Sequence, residues 1–233
     1  FLACEAGRNV VFGYQPKLEG AGFQLERMDF VTTNPTGEFA GSDFLGGSNS
    51  VNNEQKTLFR PSDIAVGADG ALYVSDWYDG RVGGHQDLDA TCSGAIYRIA
   101  PRGFKPVNPK IDTETIDGLI TALKSPAPNV RAIGFEGLKA KGRAALAPVA
   151  ELLKDENPYI QARAIYVLYN LGISGPRFAG YPAEQPTAQR MIAAYRAMRR
   201  AGLDFTASAM RLAAHPDPAV RREVALSMRN ESI

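Results

Sequence analysis

The stretch NPYIQARAIYVLYNLG, residues 157–172, decides how the second half of this chain is read. Pro158 stands where a helix tolerates proline, in its first turn, because the N–H it lacks has no helical partner there. Ile160, Ala164, Val167, Leu168 and Leu171 follow at spacings that put them on one face of a helix. Gly172 then closes the segment, as glycine commonly does just past a helix end.

Moving thirty residues in either direction finds the same pattern. Leu138, Leu168, Met198 and Met228 share one column; Gly142, Gly172 and Gly202 share another. Pro128, Pro158 and Pro218 form a third column, with Ala188 in the remaining place. Val130, Ile160 and Val220 form a fourth, in which Arg190 is the exception. A helix such as ALAPVAELLK (145–154) precedes each Pro-initiated helix and covers its stripe. One hairpin cannot bury that stripe alone, so neighbours are expected to stack into a solenoid. The third unit departs from the pattern: its first-helix slot, GPRFAGYPAEQP (175–186), holds three prolines and two glycines, which predicts a short helix or a loop.

Composition separates this half from the first. Residues 1–105 carry 9 Lys/Arg against 13 Asp/Glu, whereas residues 106–233 carry 17 against 12. Fifteen of 23 glycines precede residue 106, and 23 of 33 alanines follow it, as expected of turns between strands and then helices. The stretch 106–115, PVNPKIDTET, reads as a linker. The net charge of +1 gives no global case for nucleic acid or an anionic membrane surface, and no apolar run is long enough to span a bilayer. The basic half also lacks an interleaved aromatic platform for nucleic acid. The abrupt opening FLACEAGRNVVF reads as the middle of a strand and leads us to expect a longer parent.

In the first half, FLACEA (1–6), NVVFGYQPKL (9–18) and FQLERMDFVTT (23–33) are β-rich. So are SDIAVG (62–67), ALYVSDW (71–77) and GAIYRIA (94–100), the first two joined by an Asp-Gly turn. FLACEAGRNVV and ALYVSDWYDGRV share a plan of apolar strand, acidic residue, Gly-containing turn and Val. We read them as the same unit in two successive blades of a β-propeller. The expected fold class is therefore β plus α and multidomain: a partial β-propeller (its last blades) in 1–105, a linker in 106–115, and an α-α solenoid in 116–233. About 105 residues cannot close a propeller, so the missing N-terminal blades are expected upstream of Phe1. Residues 34–58, rich in Gly, Ser and Asn, read as a surface excursion.

NPYIQARAIYVLYNLG, with PNVRAIGFEGLKAKG and DPAVRREVALSM, resembles HEAT-like repeats. The order LACEAGRNVVFGY, FRPSDIAVGADGALYVSDWYDGRVGGH, GAIYRIAPRG and then helical repeats resembles the membrane-bound dehydrogenase family of planctomycete and verrucomicrobial type. That family resembles soluble glucose/sorbosone dehydrogenases. The resemblance implies an exported, periplasmic or secreted oxidoreductase acting on a sugar or related alcohol, with pyrroloquinoline quinone as a cofactor of the parent. It also implies a haem domain beyond the repeats. No Cys-x-x-Cys-His occurs, so this chain attaches no c-type haem, and no catalytic base can be carried over to it. The competing reading is a non-catalytic protein- or polysaccharide-binding module, with a partner held on the solenoid.

Candidate site residues cluster after the strand ALYVSDW. Asp76, Tyr78, Arg81 and His85, with Arg60 and Asp63 before the strand, could line a pocket. Asp76, Asp79, Asp87 and Asp89 could supply oxygen ligands to Ca²⁺, although their spacing is not that of an EF-hand. Arg60 and Arg81 fit either an anionic ligand, which guanidinium binds bidentately, or ion pairs with Asp63 or Asp76. His85 fits a proton carrier, a ligand or a loop brace. Trp77 is expected to pack between blades. In the helical half, Arg131 and Arg221 are expected to bridge repeats through carboxylates or carbonyls, and RAMRRAG (196–202) is either a partner-binding run or a solvated helix face. Cys4 and Cys92 are either a disulfide or two buried thiols.

Overall fold

The structure, a computed structural model, describes residues 1–34, 59–77, 94–106, 108, 110–173 and 187–230. It divides into two units, Phe1–Leu18 with Phe23–Asn108, and Glu19–Gly22 with Pro109–Ile233.

Among the described residues, the first unit holds six strands: β1 (Leu2–Glu5), β2 (Val10–Glu19), β3 (Gly22–Thr32), β4 (Pro61–Val66), β5 (Leu72–Asp76) and β6 (Ala95–Ile99). They form two three-stranded sheets, ordered β1-β2-β3 and β4-β5-β6. β1 pairs antiparallel with β2, Cys4 opposite Val11, and β5 pairs antiparallel with both neighbours, Val74 opposite Ile64 and Tyr97. Its apolar centre is small: Val11, Phe59 and Val74 are buried, with Leu2, Cys4, Val31, Ile64 and Ile99 around them.

This arrangement corrects the propeller expectation. A propeller is built from four-stranded blades, and among the described residues there are only two three-stranded sheets and no closed ring. The likeness between the β1 and β5 segments misled for a definite reason. β1 is an edge strand that pairs with β2 alone, whereas β5 is central between β4 and β6. The two share a strand-then-turn sequence but not a position in a sheet. Trp77, expected between blades, is 47 % exposed.

The β4–β5 hairpin turns at Asp69-Gly70, where Gly70 takes the positive φ that this tight turn requires. Asp69 accepts from the Ala71 amide at 3.0 Å, the Tyr73 hydroxyl at 3.1 Å and Arg98 Nε at 2.9 Å, tying the turn to β6. Burial works to raise the Asp69 carboxyl, but the Ala71, Arg98 and Tyr73 donors outweigh it and hold it below the usual carboxylate range.

The second unit is helical: α1 (Ile116–Lys124), α2 (Pro128–Lys141), α3 (Leu146–Glu151, with a 3₁₀ turn on either side), α4 (Pro158–Asn170), α5 (Ala188–Arg200), α6 (Thr206–Ala213) and α7 (Pro218–Ser227). Pro128, Pro158 and Pro218 each open a helix. Asn157 and Asp217 cap two of those helices, their side-chain oxygens accepting from Tyr159 N at 2.9 Å and Ala219 N at 2.8 Å. Gly142, Gly172 and Gly202 all carry positive φ after α2, α4 and α5, so that column stops helices by backbone geometry. α1 packs on α2, α3 and α5 on α4, and α6 on α7. Leu119, Leu123, Leu138, Val149, Leu153, Ile165 and Leu168 form the continuous core beneath them. The irregular slot 175–186 lies outside the described residues.

Candidate functional site: a cationic groove on the helical unit

Arg131, Phe135 and Lys139 recur every four residues on one face of α2, while Leu138 turns into the core. Tyr159, Ala162, Arg163, Tyr166 and Asn170 share one face of α4 at spacings of three and four residues, with Ile165 and Leu168 buried opposite. These two faces, with Leu123 at the end of α1 and Arg200 at the end of α5, line an open groove of 810 Å³. A second hollow of 600 Å³, lined by Tyr166, Arg196, Arg199, Arg200 and Glu223, shares Tyr166 and Arg200 with the first. The two therefore form one surface.

Charge on this surface is unbalanced. Its cations are Arg131, Lys139, Arg163, Arg196, Arg199 and Arg200, and its only carboxylates among the described residues are Glu136 and Glu223. Both carboxylates are already engaged, Glu136 with Lys139 at 3.7 Å and Glu223 with Arg196. Among the described residues, no carboxylate pairs with Arg131, Arg163, Arg199 or Arg200.

The arginines are held in place by carbonyl oxygens. Arg131 Nη1 donates to the Ser125 carbonyl at 3.3 Å and to the Pro126 carbonyl. Arg163 Nη1 reaches across to the Leu123 and Ser125 carbonyls at 2.9 and 3.3 Å. These are acceptors left open where α1 ends, at the negative end of its dipole. Burial, then the neighbouring Arg131 charge, pulls Arg163 below the usual guanidinium range; a guanidinium nevertheless stays protonated. Arg199 lies over the Phe205 ring at 5.4 Å and donates to the Ser227 carbonyl at 3.3 Å. Burial raises the Tyr166 hydroxyl against the pull of Arg196 and Arg200. Tyr159 stands 73 % exposed at the rim.

Of the candidate site residues singled out from sequence in the first half, the structure describes Arg60, Asp63 and Asp76. Arg60 is buried, 1 % exposed; its amide donates to Asp76 Oδ1 at 2.7 Å and its Nη1 to the Ala6 carbonyl at 2.8 Å. Asp76 is likewise buried. Asn9, also buried and in the left-handed conformation, donates to the Phe59 carbonyl at 2.6 Å. Arg60, Asp76 and Asn9 thus knit the strand ends together. Asp63 is exposed and accepts from the amide of Ile64 at 2.8 Å. Tyr78, Arg81 and His85 lie outside the described residues, as do Asp79, Asp87 and Asp89 of the Ca²⁺ set. Among the described residues, no group of three or more His, Cys, Asp or Glu converges as a metal site. Cys4 is half-buried, and burial, then the charge of Asp63, pushes its thiol up; Cys92 lies outside the described residues. His215 spends Nδ1 accepting from the Asp217 amide at 3.0 Å.

Arg131 and Arg221 act within their own turns: Arg221 Nη1 donates to the His215 and Pro216 carbonyls at 2.6 and 2.7 Å, as Arg131 does to Ser125 and Pro126. The bridges between successive units are made instead by Arg163, by Arg190 to the Leu153 carbonyl and Gln161, and by Arg196 to Glu223. Sequence reasoning passed over Arg163, whereas Arg200 lies within the basic run RAMRRAG (196–202). The one signal for Arg190 was its departure from an otherwise apolar column.

Compared with known proteins, the chain matches no family model, no curated protein and no solved structure. Among the described residues, no helix is long and apolar enough to cross a membrane.

Proposed function

We propose that this chain is a non-catalytic binding module whose helical unit holds a partner protein in the groove between α2 and α4. The observation that carries this reading is Arg131, Arg163, Arg199 and Arg200 around that groove, with which no carboxylate pairs among the described residues. Clustered like charges repel one another and destabilise the folded state. A partner that brings the opposite charge relieves that cost and is steered toward the groove. The oxidoreductase reading of a parent protein drew on the order of its sequence segments, one part of which was a propeller that the two three-stranded sheets do not form.

Selection of peptide ligands from a random library on the full chain, followed by footprinting, tests the proposal. Ligands that protect Tyr159 and Arg200 from tyrosine- and arginine-directed reagents support it. Ligands that protect only the β-sheet unit, or a library that yields none, would contradict it.

A further inference from the structure

We infer that the occupant of the groove is an acidic peptide segment in which carboxylate and apolar side chains are interleaved; the inference rests on the binding-module reading above. Arg131 and Arg163 use only Nη1 for the carbonyl oxygens that fix them. A guanidinium has five N–H donors in a planar fork. Among the described residues, Nε and Nη2 of both side chains take no part in these bonds and remain available, and neither residue has a buried nitrogen lacking a partner. Both side chains are already immobilised, so a ligand engaging them loses little further rotamer freedom. Carboxylate, like phosphate, is a group that such a fork meets bidentately.

The rest of the lining selects among anions. Leu123, Ala132, Phe135 and Ala162 give the groove an apolar floor between the charges. A peptide supplies aliphatic or aromatic side chains for that floor alongside carboxylates. A polyuronate supplies the charge without them, and a nucleic acid supplies planar bases rather than the aliphatic groups that fit a floor of Leu123, Ala132 and Ala162.

The experiment is fluorescence anisotropy on the full 233-residue chain. The probe is a fluorescein-labelled peptide of alternating Glu and Leu, with its Gln/Leu and Lys/Leu counterparts as controls. The Glu/Leu peptide is expected to bind saturably, and the other two weakly or not at all. Arg200 is exposed and makes no hydrogen bond or ion pair among the described residues. Arg200→Glu is therefore expected to weaken the Glu/Leu peptide about tenfold while leaving the thermal transition in place. Lys139→Glu, also on the exposed wall, is expected to act in the same direction. Equal binding of the Gln/Leu and Glu/Leu peptides would overturn the acidic assignment and leave the groove as a binding site. Displacement of the probe by polygalacturonate or single-stranded DNA at lower charge concentration than by unlabelled peptide would overturn it in favour of another polyanion. Failure of all three peptides to bind a chain shown by circular dichroism to be folded would overturn both the acidic assignment and the groove itself.

Discussion

Arg131 and Arg163 each place Nη1 3.3 Å from the same atom, the carbonyl oxygen of Ser125. Two like charges are thereby held side by side at the end of α1. The helix dipole and three backbone carbonyls, those of Leu123, Ser125 and Pro126, offset part of their repulsion. Arg163 is the member of the pair that joins α4 to the preceding unit, so Arg163→Met removes a strut as well as a charge. It is expected to destabilise the chain by about 1–3 kcal/mol, measured as a lowered urea midpoint. Arg163→Lys, which keeps the charge but not the fork, is expected to recover only part of the loss.

Gly134 and Gly137 lie one turn apart on α2 and predict different outcomes. A Cβ at Gly134 would sit 2.4 Å from Leu123 N and 2.7 Å from the Leu119 carbonyl oxygen, both backbone atoms of α1. At Gly137 it would meet the Leu119 side-chain tip at 2.2 Å, which can rotate away. Gly134→Ala is expected to cost about 2 kcal/mol or more by forcing the two helices apart. Gly137→Ala is expected to cost markedly less, because better helix propensity offsets the repacking. Thermal unfolding of both variants checks the order.

Tyr195 and Ser227 form a buried hydroxyl pair at 2.6 Å between α5 and α7, and Ser227 Oγ also donates to the Val224 carbonyl at 2.6 Å. Tyr195→Phe leaves the Ser227 donor satisfied and is expected to cost about 1 kcal/mol. Ser227→Ala strands the buried Tyr195 hydroxyl, so it is expected to be the costlier change. Equal costs in urea titrations would contradict this assignment of donor and acceptor.

Much of the helical unit was legible because its signals are local. A proline at a helix start, an Asn or Asp cap and a glycine at the stop act within one turn, so the columns Pro128/Pro158/Pro218 and Gly142/Gly172/Gly202 match what the backbone does. The column at Met228 is weaker: Leu138 and Leu168 are buried, whereas Met228 is 39 % exposed. The sheets were misread because pairing is not local. Nothing within FLACEA or ALYVSDW says whether a strand is edge or central, and that difference separates β1 from β5. The groove was legible in part. RAMRRAG stood out as a basic run, and Arg131, with Arg221, as an expected bridge between repeats. Arg163 was not singled out from sequence; it joins the groove only through the packing of α1, α2 and α5 around α4.

Asp155 gives the helical unit a pH dependence. The Asn157 amide at 3.0 Å and Lys124 Nζ at 3.0 Å hold its carboxyl below the usual carboxylate range. The unfolded chain therefore takes up this proton at a higher pH than the folded chain does. The contribution is fully present above the unfolded value, about pH 4, and is lost as pH falls through the depressed folded value. Melting temperature is expected to fall across that acid range. Asp155→Asn is expected to be less stable than the parent at pH 7, with the gap closing as pH falls through the depressed folded value. A constant gap across the range would refute the assignment.

The most direct measurement of the central claim is a two-dimensional ¹H–¹⁵N NMR titration of the full chain with the Glu/Leu peptide. The account predicts shifts concentrated at Arg131, Phe135, Arg163, Tyr166 and Arg200, diminishing together as salt is raised. Shifts confined to β1–β6, or unchanged by salt, would contradict it.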